Sequence, residues 1–205
     1  DGAYTFSGLP PGQYELNLVR LPGYIRPTKT RLLQVEAAKS FQGVDYAVQR
    51  GVQLAGRVVD QTGDAVERAE VRVEPARVDP VLTESDGGFV FDGLKSGETL
   101  RIRAEKAELF SPRAEAFSSG SNYDDVSLEL DEGARVSGTL ATTDGSAADG
   151  ASVQLQADPS TRIAIPVHGG LFKSQVVPAG EYTIWVDSPA AGIKIELAPG
   201  ENRDD

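Results

Sequence analysis

The chain has 205 residues, with 31 acidic and 20 basic side chains and a formal net charge of −11. An acidic surface of this kind repels phosphate backbones, which excludes nucleic acid as a partner. There is no cysteine, so neither disulfides nor thiolate metal sites can hold the fold and each core must suffice alone. No apolar run approaches the ~18 residues of a membrane helix, so no membrane insertion is expected of this segment.

In chain order, the first stretch is Asp1 to Gly12, DGAYTFSGLPPG: a turn, a strand marked by Tyr4 and Phe6, and a second turn. Glycine supplies the positive φ of the turns, and apolar residues at period two mark a strand with one buried face. A second strand follows on Tyr14, Leu16 and Leu18. The same unit returns as Asp86 to Gly97, DGGFVFDGLKSG, followed by Leu100, Ile102 and Ala104. It returns again as His168 to Gly180, HGGLFKSQVVPAG, followed by Tyr182, Ile184 and Val186. Three copies of one hairpin predict three copies of one domain. Leu9 and Leu94, beside the corner prolines Pro10 and Pro11 in the first copy, are expected to plug the sandwich end.

A longer period runs through the rest. Gly51 to Val73 matches Gly133 to Leu155 at an offset of 82, with Gly51 on Gly133, Gly56 on Gly138, Gly63 on Gly145 and Val71 on Val153. Each predicts a strand (Leu54 to Val59; Val136 to Ala141), a Gly-Asp type turn and a second strand (Ala69 to Val73; Ala151 to Leu155). A closing strand recurs as Val44 to Val48 and Val126 to Leu130, again 82 apart. Gly23 to Pro27, GYIRP, lines up with Glu108 to Pro112, ELFSP, each with an aromatic just ahead of a strand-stopping proline. Ser111 to Asp125 is the longest polar stretch and reads as a loop holding at most a short strand.

These offsets divide the chain into residues 1–50, the C-terminal part of a first repeat; 51–131, a complete second; and 132–205, a third expected to lack its closing strand. Basic and acidic residues number 6 and 4, 9 and 17, and 5 and 10 in the three, for charges of +2, −8 and −5. Opening on Asp1 inside a repeat, the chain is expected to be a segment of a longer array, or else to have its split sandwiches completed by other copies.

The order GRVVDQTGDAVERAEVRV, then TESDGGFVFDGLKSG, then a strand ending near an aromatic-x-x-Pro resembles the carboxypeptidase regulatory-like domain, also described as transthyretin-like or prealbumin-like. It is similar in layout to the collagen-adhesin B-type repeats of bacterial surface proteins. The resemblance implies an all-β fold of tandem Ig-like (transthyretin-like) Greek-key β-sandwiches of about seven strands each, used as appended or tandem modules in exported bacterial proteins. Some adhesin repeats carry a Lys–Asn isopeptide staple. Here the first strands hold Leu54, Gly56 and Val58 or Val136, Gly138 and Leu140 with no lysine, and Val126 to Leu130 has no asparagine, which argues against it.

Chemistry-bearing residues are sparse. His168 is the one histidine, so a two-histidine zinc site cannot be built, and its place at a repeat turn is not that of a Ser-His-Asp base. Asp60, Asp64, Asp86, Asp124 and Asp125 follow no DxDxDG-like spacing. They read as turn residues before calcium ligands. No cofactor is implied. Trp185 is the one candidate binding residue: with Tyr182, Ile184 and Val186 inward, Thr183, Trp185 and Asp187 fall on the outer face, where an exposed indole can stack on a sugar, a neighbouring domain or another part of the protein.

The function read from this is a non-enzymatic structural or adhesive repeat segment of an exported bacterial surface or filament protein, extracellular or at the cell surface. It acts as a semi-rigid spacer or assembling subunit whose partners are neighbouring repeats or other copies of itself. The alternative is a glycan- or partner-binding accessory module of a secreted hydrolase or outer-membrane transporter, contacting its ligand through Trp185 or the loop Ser111 to Asp125. The short connectors Gln49-Arg50-Gly51 and Asp131-Glu132-Gly133 predict restricted bending.

Overall fold

Period-two alternation becomes eighteen β-strands in the computed structural model, which describes residues 2–18, 21–27, 30–37, 40, 42–76, 78–118, 121–123, 125–158, 161–186 and 191–204. Among the described residues no α-helix occurs. The architecture is therefore all-β, arranged as layered sheets around two separate apolar cores.

The middle stretch shows how pattern becomes a sandwich. One layer has the order β10 (Val126–Glu129), β3 (Val52–Val59), β6 (Gly88–Leu94). The other runs β11 (Asp131–Glu132), β8 (Leu109–Phe110), β7 (Thr99–Lys106), β4 (Glu70–Glu74), β5 (Val81–Leu82), with β9 (Ala114–Phe117) also on β7. Alternate side chains meet between the layers: Leu54 and Val58 from β3, Phe89 and Phe91 from β6, Val71 and Val73 from β4, Leu100 and Ile102 from β7. The residues between them face out; Val90, between two buried phenylalanines, is 52% exposed. The strands β3 and β6 are antiparallel, whereas β10 lies parallel to β3 with Val126 beside Gly56 and Leu128 beside Val58. The closing strand thus returns across the sandwich rather than by a hairpin.

Gly56 sits where these strands meet. A Cβ there would lie inside contact distance of the Val126 carbonyl oxygen and 2.9 Å from Cε1 of the Phe89 ring. Glycine is what lets the ring approach β3 this closely.

The turn Asp60 to Asp64 closes only a one-residue bridge, Val59 with Ala65, before the chain crosses to the opposite layer. The predicted strand–turn–strand is present, but β3 and β4 face each other across the core instead of pairing. The equivalent bridge, Ala141 with Ala147, stands 82 residues on.

In the third stretch the two layers fuse into one seven-stranded path, β17 (Ile193–Leu197), β16 (Gly180–Trp185), β13 (Ser152–Asp158), β14 (Thr161–His168), β15 (Leu171–Lys173), β12 (Arg135–Thr139), β18 (Asn202–Asp204). The join is β14. Its residues up to Pro166 pair with β13, and Val167 and His168 pair with β15. Val136, Val153, Leu155, Val167, Tyr182 and Leu197 fill the core. Here β18 runs parallel to β12, Arg135 beside Asn202 to Ser137 beside Asp204. These three residues lie beside the part of β12 that precedes Gly138, the counterpart of Gly56 where β10 begins to pair in the middle stretch.

The first stretch departs most from its expectation. Of residues 1–50, β1 (Gly12–Leu16) and β2 (Arg31–Val35) form an antiparallel pair. The strand predicted on Tyr4 and Phe6 does not form; the rings are 45% and 62% exposed and stack edge-on at 5.8 Å. Leu9, the expected plug, is 41% exposed while its counterpart Leu94 is 1% exposed. The predicted closing strand Val44 to Val48 is in no sheet. These apolar positions have the right period but no opposing layer among the described residues, and a single hairpin cannot bury them.

Candidate functional site

Two features bear on function: the junctions between repeats and the surroundings of Trp185. At the first junction the Gly51 amide donates to the Gly23 carbonyl at 3.0 Å, and Tyr24 bridges Arg50. At the second the Gly133 amide donates to the Glu108 carbonyl at 2.9 Å, and β8 pairs with β11, Leu109 beside Glu132. These are the same contacts on the aligned segments GYIRP and ELFSP. Each short connector is therefore tied by backbone pairing to the segment before it, through a single bridge at the first junction and the short strand β11 at the second.

The glycine that ends each connector is held tightly on its far side. A Cβ on Gly51 would stand 2.5 Å from the Gly93 backbone, and one on Gly133 would stand 2.7 Å from the Phe110 ring and 2.8 Å from the Val177 oxygen. Gly133 packs between the last hairpin of one unit and the corner of the next. Ion pairs span the second junction as well, Arg135 with Glu108 at 2.6 Å and Arg113 with Asp158 at 3.0 Å. Being partly exposed, each is worth at most about 1 kcal/mol, so the backbone bonds and the packing carry the junction.

Trp185 does lie on the face opposite Tyr182 and Ile184, level with Gln154 of β13. The expectation that it is exposed is wrong, because the indole is only 5% exposed. The guanidinium of Arg162 lies 5.3 Å from the ring centroid, and its Nε donates to Gln154 Oε1 at 2.9 Å. Gln154 Nε2 in turn donates to Ser152 Oγ at 2.9 Å. The sheet face is thus roofed by its own side chains through a cation–π contact. Val186, expected inward, is 38% exposed, and Asp187 lies outside the described residues.

Trp185 also borders a groove of about 640 Å³ beside β12 and β18, with Leu140, Val153, Phe172, Ile195 and Arg203 among its walls. In the middle stretch Leu128 and Leu130 are buried in the core, at 2% and 1% exposure.

The aspartates act inside turns. Asp60 Oδ1 accepts from the amides of Thr62 and Asp64 at 2.9 and 3.0 Å and from the Thr62 hydroxyl, chiefly the last of which lowers its pKa. In the corresponding turn the carboxylate has moved to Asp144, held at a pKa of about 2 by the Thr142 hydroxyl and by the Ser146 amide and hydroxyl. Asp86 Oδ1 accepts from the Gly88 amide at 2.8 Å, two residues on, while Gly87 takes the positive φ of 78°. Among the described residues no group of three or more His, Cys, Asp or Glu side chains is placed to hold a metal ion. Asp124 lies outside those residues. His168 is exposed at the end of β14, beside Leu171.

Sequence reasoning missed the buried hydroxyls. Thr83 Oγ1 accepts from the Ala69 amide, Ser111 Oγ from Ala104 and Ser174 Oγ from Val136, at 2.8 to 3.0 Å. Each satisfies a backbone amide beside the core. Ser111 opens the stretch read as a loop, which also supplies β9 and the buried Tyr123. A lone hydroxyl in a polar run carries no sequence signal that separates it from an exposed one.

No protein-family model matches the chain, and no curated protein matches it. Among solved structures it is similar to the Bacillus anthracis TIE protein, with a TM-score of 0.32 and 17% identity over 96% of this chain and 41% of that one. It is also similar to a streptococcal ancillary pilin, with a TM-score of 0.39 and 11% identity over 96% of this chain and 75% of that one. The chain spans less than half the length of the first. Likenesses at these scores assign no role.

Proposed function

We propose that this chain is a non-enzymatic structural or adhesive repeat segment of an exported bacterial surface or filament protein, working as a semi-rigid spacer. Its units are residues 1–50, 51–131 and 132–205. The observation that carries the reading is the pair of matching junction bonds, Gly51 to Gly23 and Gly133 to Glu108. A connector tied into the preceding unit by a backbone bond and packed against the next transmits force and direction, whereas a flexible linker does neither. The acidic surface keeps such a rod soluble and apart from other polyanions.

Distances between fluorophores placed on the middle and third units test it. A narrow distribution is expected, broadened by Gly133→Ala while each unit stays folded by circular dichroism. A broad distribution in the unaltered chain would refute the spacer. A binding role for Trp185 is better served by the groove than by the sheet face, since Arg162 lies over the ring there.

A further inference from the structure

Residues 51–131 and 132–205 carry −8 and −5, yet one cleft between them has the opposite sign. It holds about 710 Å³, within the range of small-ligand sites, and its charged walls are Arg101, Arg103 and Arg162 against the single carboxylate of Glu74. The strands explain the cluster. Leu100 and Ile102 of β7 are buried in the core, so Arg101 and Arg103 lie together on the outer face, where Glu74 of β4 stands opposite Arg101. Arg162 comes from the start of β14, and Thr99 and Thr161 add hydroxyls to the walls.

The arginines of this sheet face are unequally satisfied. Arg72, outside the cleft, has two carboxylates, Glu70 and Glu105. Inside it, Arg101 reaches Glu115 at 3.5 Å and Arg103 reaches Glu74 only at 3.7 Å. Arg103 Nε is shielded from solvent with no hydrogen-bond partner among the described residues, which costs free energy until an acceptor arrives. Arg162 makes no ion pair among the described residues; its Nε donates to Gln154 and its guanidinium lies over Trp185. Asp158, which pairs with Thr161 in the β13–β14 ladder, is already engaged by Arg113 at 3.0 Å and by the Thr161 amide.

We propose that this cleft binds a small sugar acid, carrying one carboxylate or one sulfate, at the junction between the middle and third units. A guanidinium fork matches two oxygens of such a group, which takes the place of the loose contact between Arg103 and Glu74. The threonine hydroxyls suit a hydroxylated ligand, and no large apolar side chain lines the walls. The acidic surroundings select for a single charge, because a polyanion long enough to leave the cleft meets repulsion on either side of it. A ligand held by Arg101 and Arg103 from one unit and Arg162 from the next ties the two together across the connector. The site stands independently of the spacer reading, since it needs only the residues of the cleft.

Fluorescence of the one tryptophan reports on the site, because Trp185 lies 5.3 Å from the Arg162 guanidinium. The full chain is titrated at constant ionic strength with glucuronate, a glucose sulfate monoester, glucose and acetate. A saturable change of emission with a raised midpoint of thermal unfolding is expected from glucuronate or the sulfate ester, and neither effect from glucose. The tighter of the two acids identifies the group. Arg103→Gln should weaken half-saturation by about tenfold with the circular dichroism spectrum unchanged. Glu74→Gln, which removes the competing carboxylate, should tighten it by about fivefold, a gain that a misfolded variant cannot give. Acetate binding as tightly as glucuronate would mean that a bare carboxylate is read, as on an acidic peptide, and would overturn the sugar. An emission that no ligand changes, or a change indifferent to both substitutions, overturns the site.

Discussion

One carbonyl at the corner of each repeat is claimed by a tyrosine hydroxyl, and the three repeats find that tyrosine in different places. Tyr14 donates to the Pro10 carbonyl at 3.0 Å and Tyr182 to that of Pro178 at 2.7 Å, both four residues back. In the middle repeat the equivalent of Tyr14 is Leu100, and Tyr123 arrives instead from just before the closing strand to bond the Lys95 carbonyl at 2.8 Å. Burial, helped by the charge of Asp158, pushes the Tyr182 phenol up to about 12 from its ordinary 10.0. Because the folded state holds this proton more tightly, the stability it contributes is complete below pH 10.0 and is lost as pH rises toward about 12. Tyr182→Phe should cost about 1 kcal/mol at neutral pH. The variant should also lose part of the decline over that alkaline window, as read by urea unfolding at a series of pH values. An unchanged decline would remove Tyr182 as its source.

At the scale of the element, each strand's faces follow its alternation, but its neighbours do not. β3 shows both sides of this. The alternation Leu54, Gly56, Val58 sets which side meets the core, and nothing in that run announces a parallel strand on one edge and an antiparallel one on the other. Gly56 is the residue at which that arrangement becomes visible chemically. Gly56→Ala should destabilise the middle unit by about 1–3 kcal/mol through overpacking against Phe89 and the Val126 carbonyl. The urea midpoint of that unit checks it, and a midpoint within error of the parent would mean that β10 yields freely. The same substitution at Gly63, whose Cβ would meet nothing within 4 Å but whose φ is +85°, would act through backbone strain alone.

For the whole molecule, two apolar cores lie along one chain, and each connector pairs with the segment that precedes it, Arg50 with Tyr24 and Glu132 with Leu109. The core of residues 51–131 draws on both of its own layers and on its own Tyr123, Leu128 and Leu130. Expressed alone, that segment should unfold in one cooperative transition, with its near-ultraviolet signal and its sheet content lost together. Non-coincident loss would show that the unit depends on its neighbours. The first stretch, with one hairpin and an exposed Phe6, is the part that should gain most order from contact with further chain or another copy.

What depends on near neighbours and on period was legible in the residues: strands rather than helices, the corners at Asp86 and Gly87, the repeat of 82, and the equivalence of GYIRP with ELFSP. These follow from dihedral preference and from the two-residue alternation of side chains, which act within a few residues. Tertiary structure alone decided what depends on the opposing layer. Alternation put Trp185 on the outer face, but only the approach of Arg162 and Gln154 buried it. Tyr4 and Phe6 carry the same pattern as Phe89 and Phe91, and the first pair stays exposed while the second is sealed. A pattern states which face wants burial; whether a second surface is there to bury it is a property of residues far away in the chain.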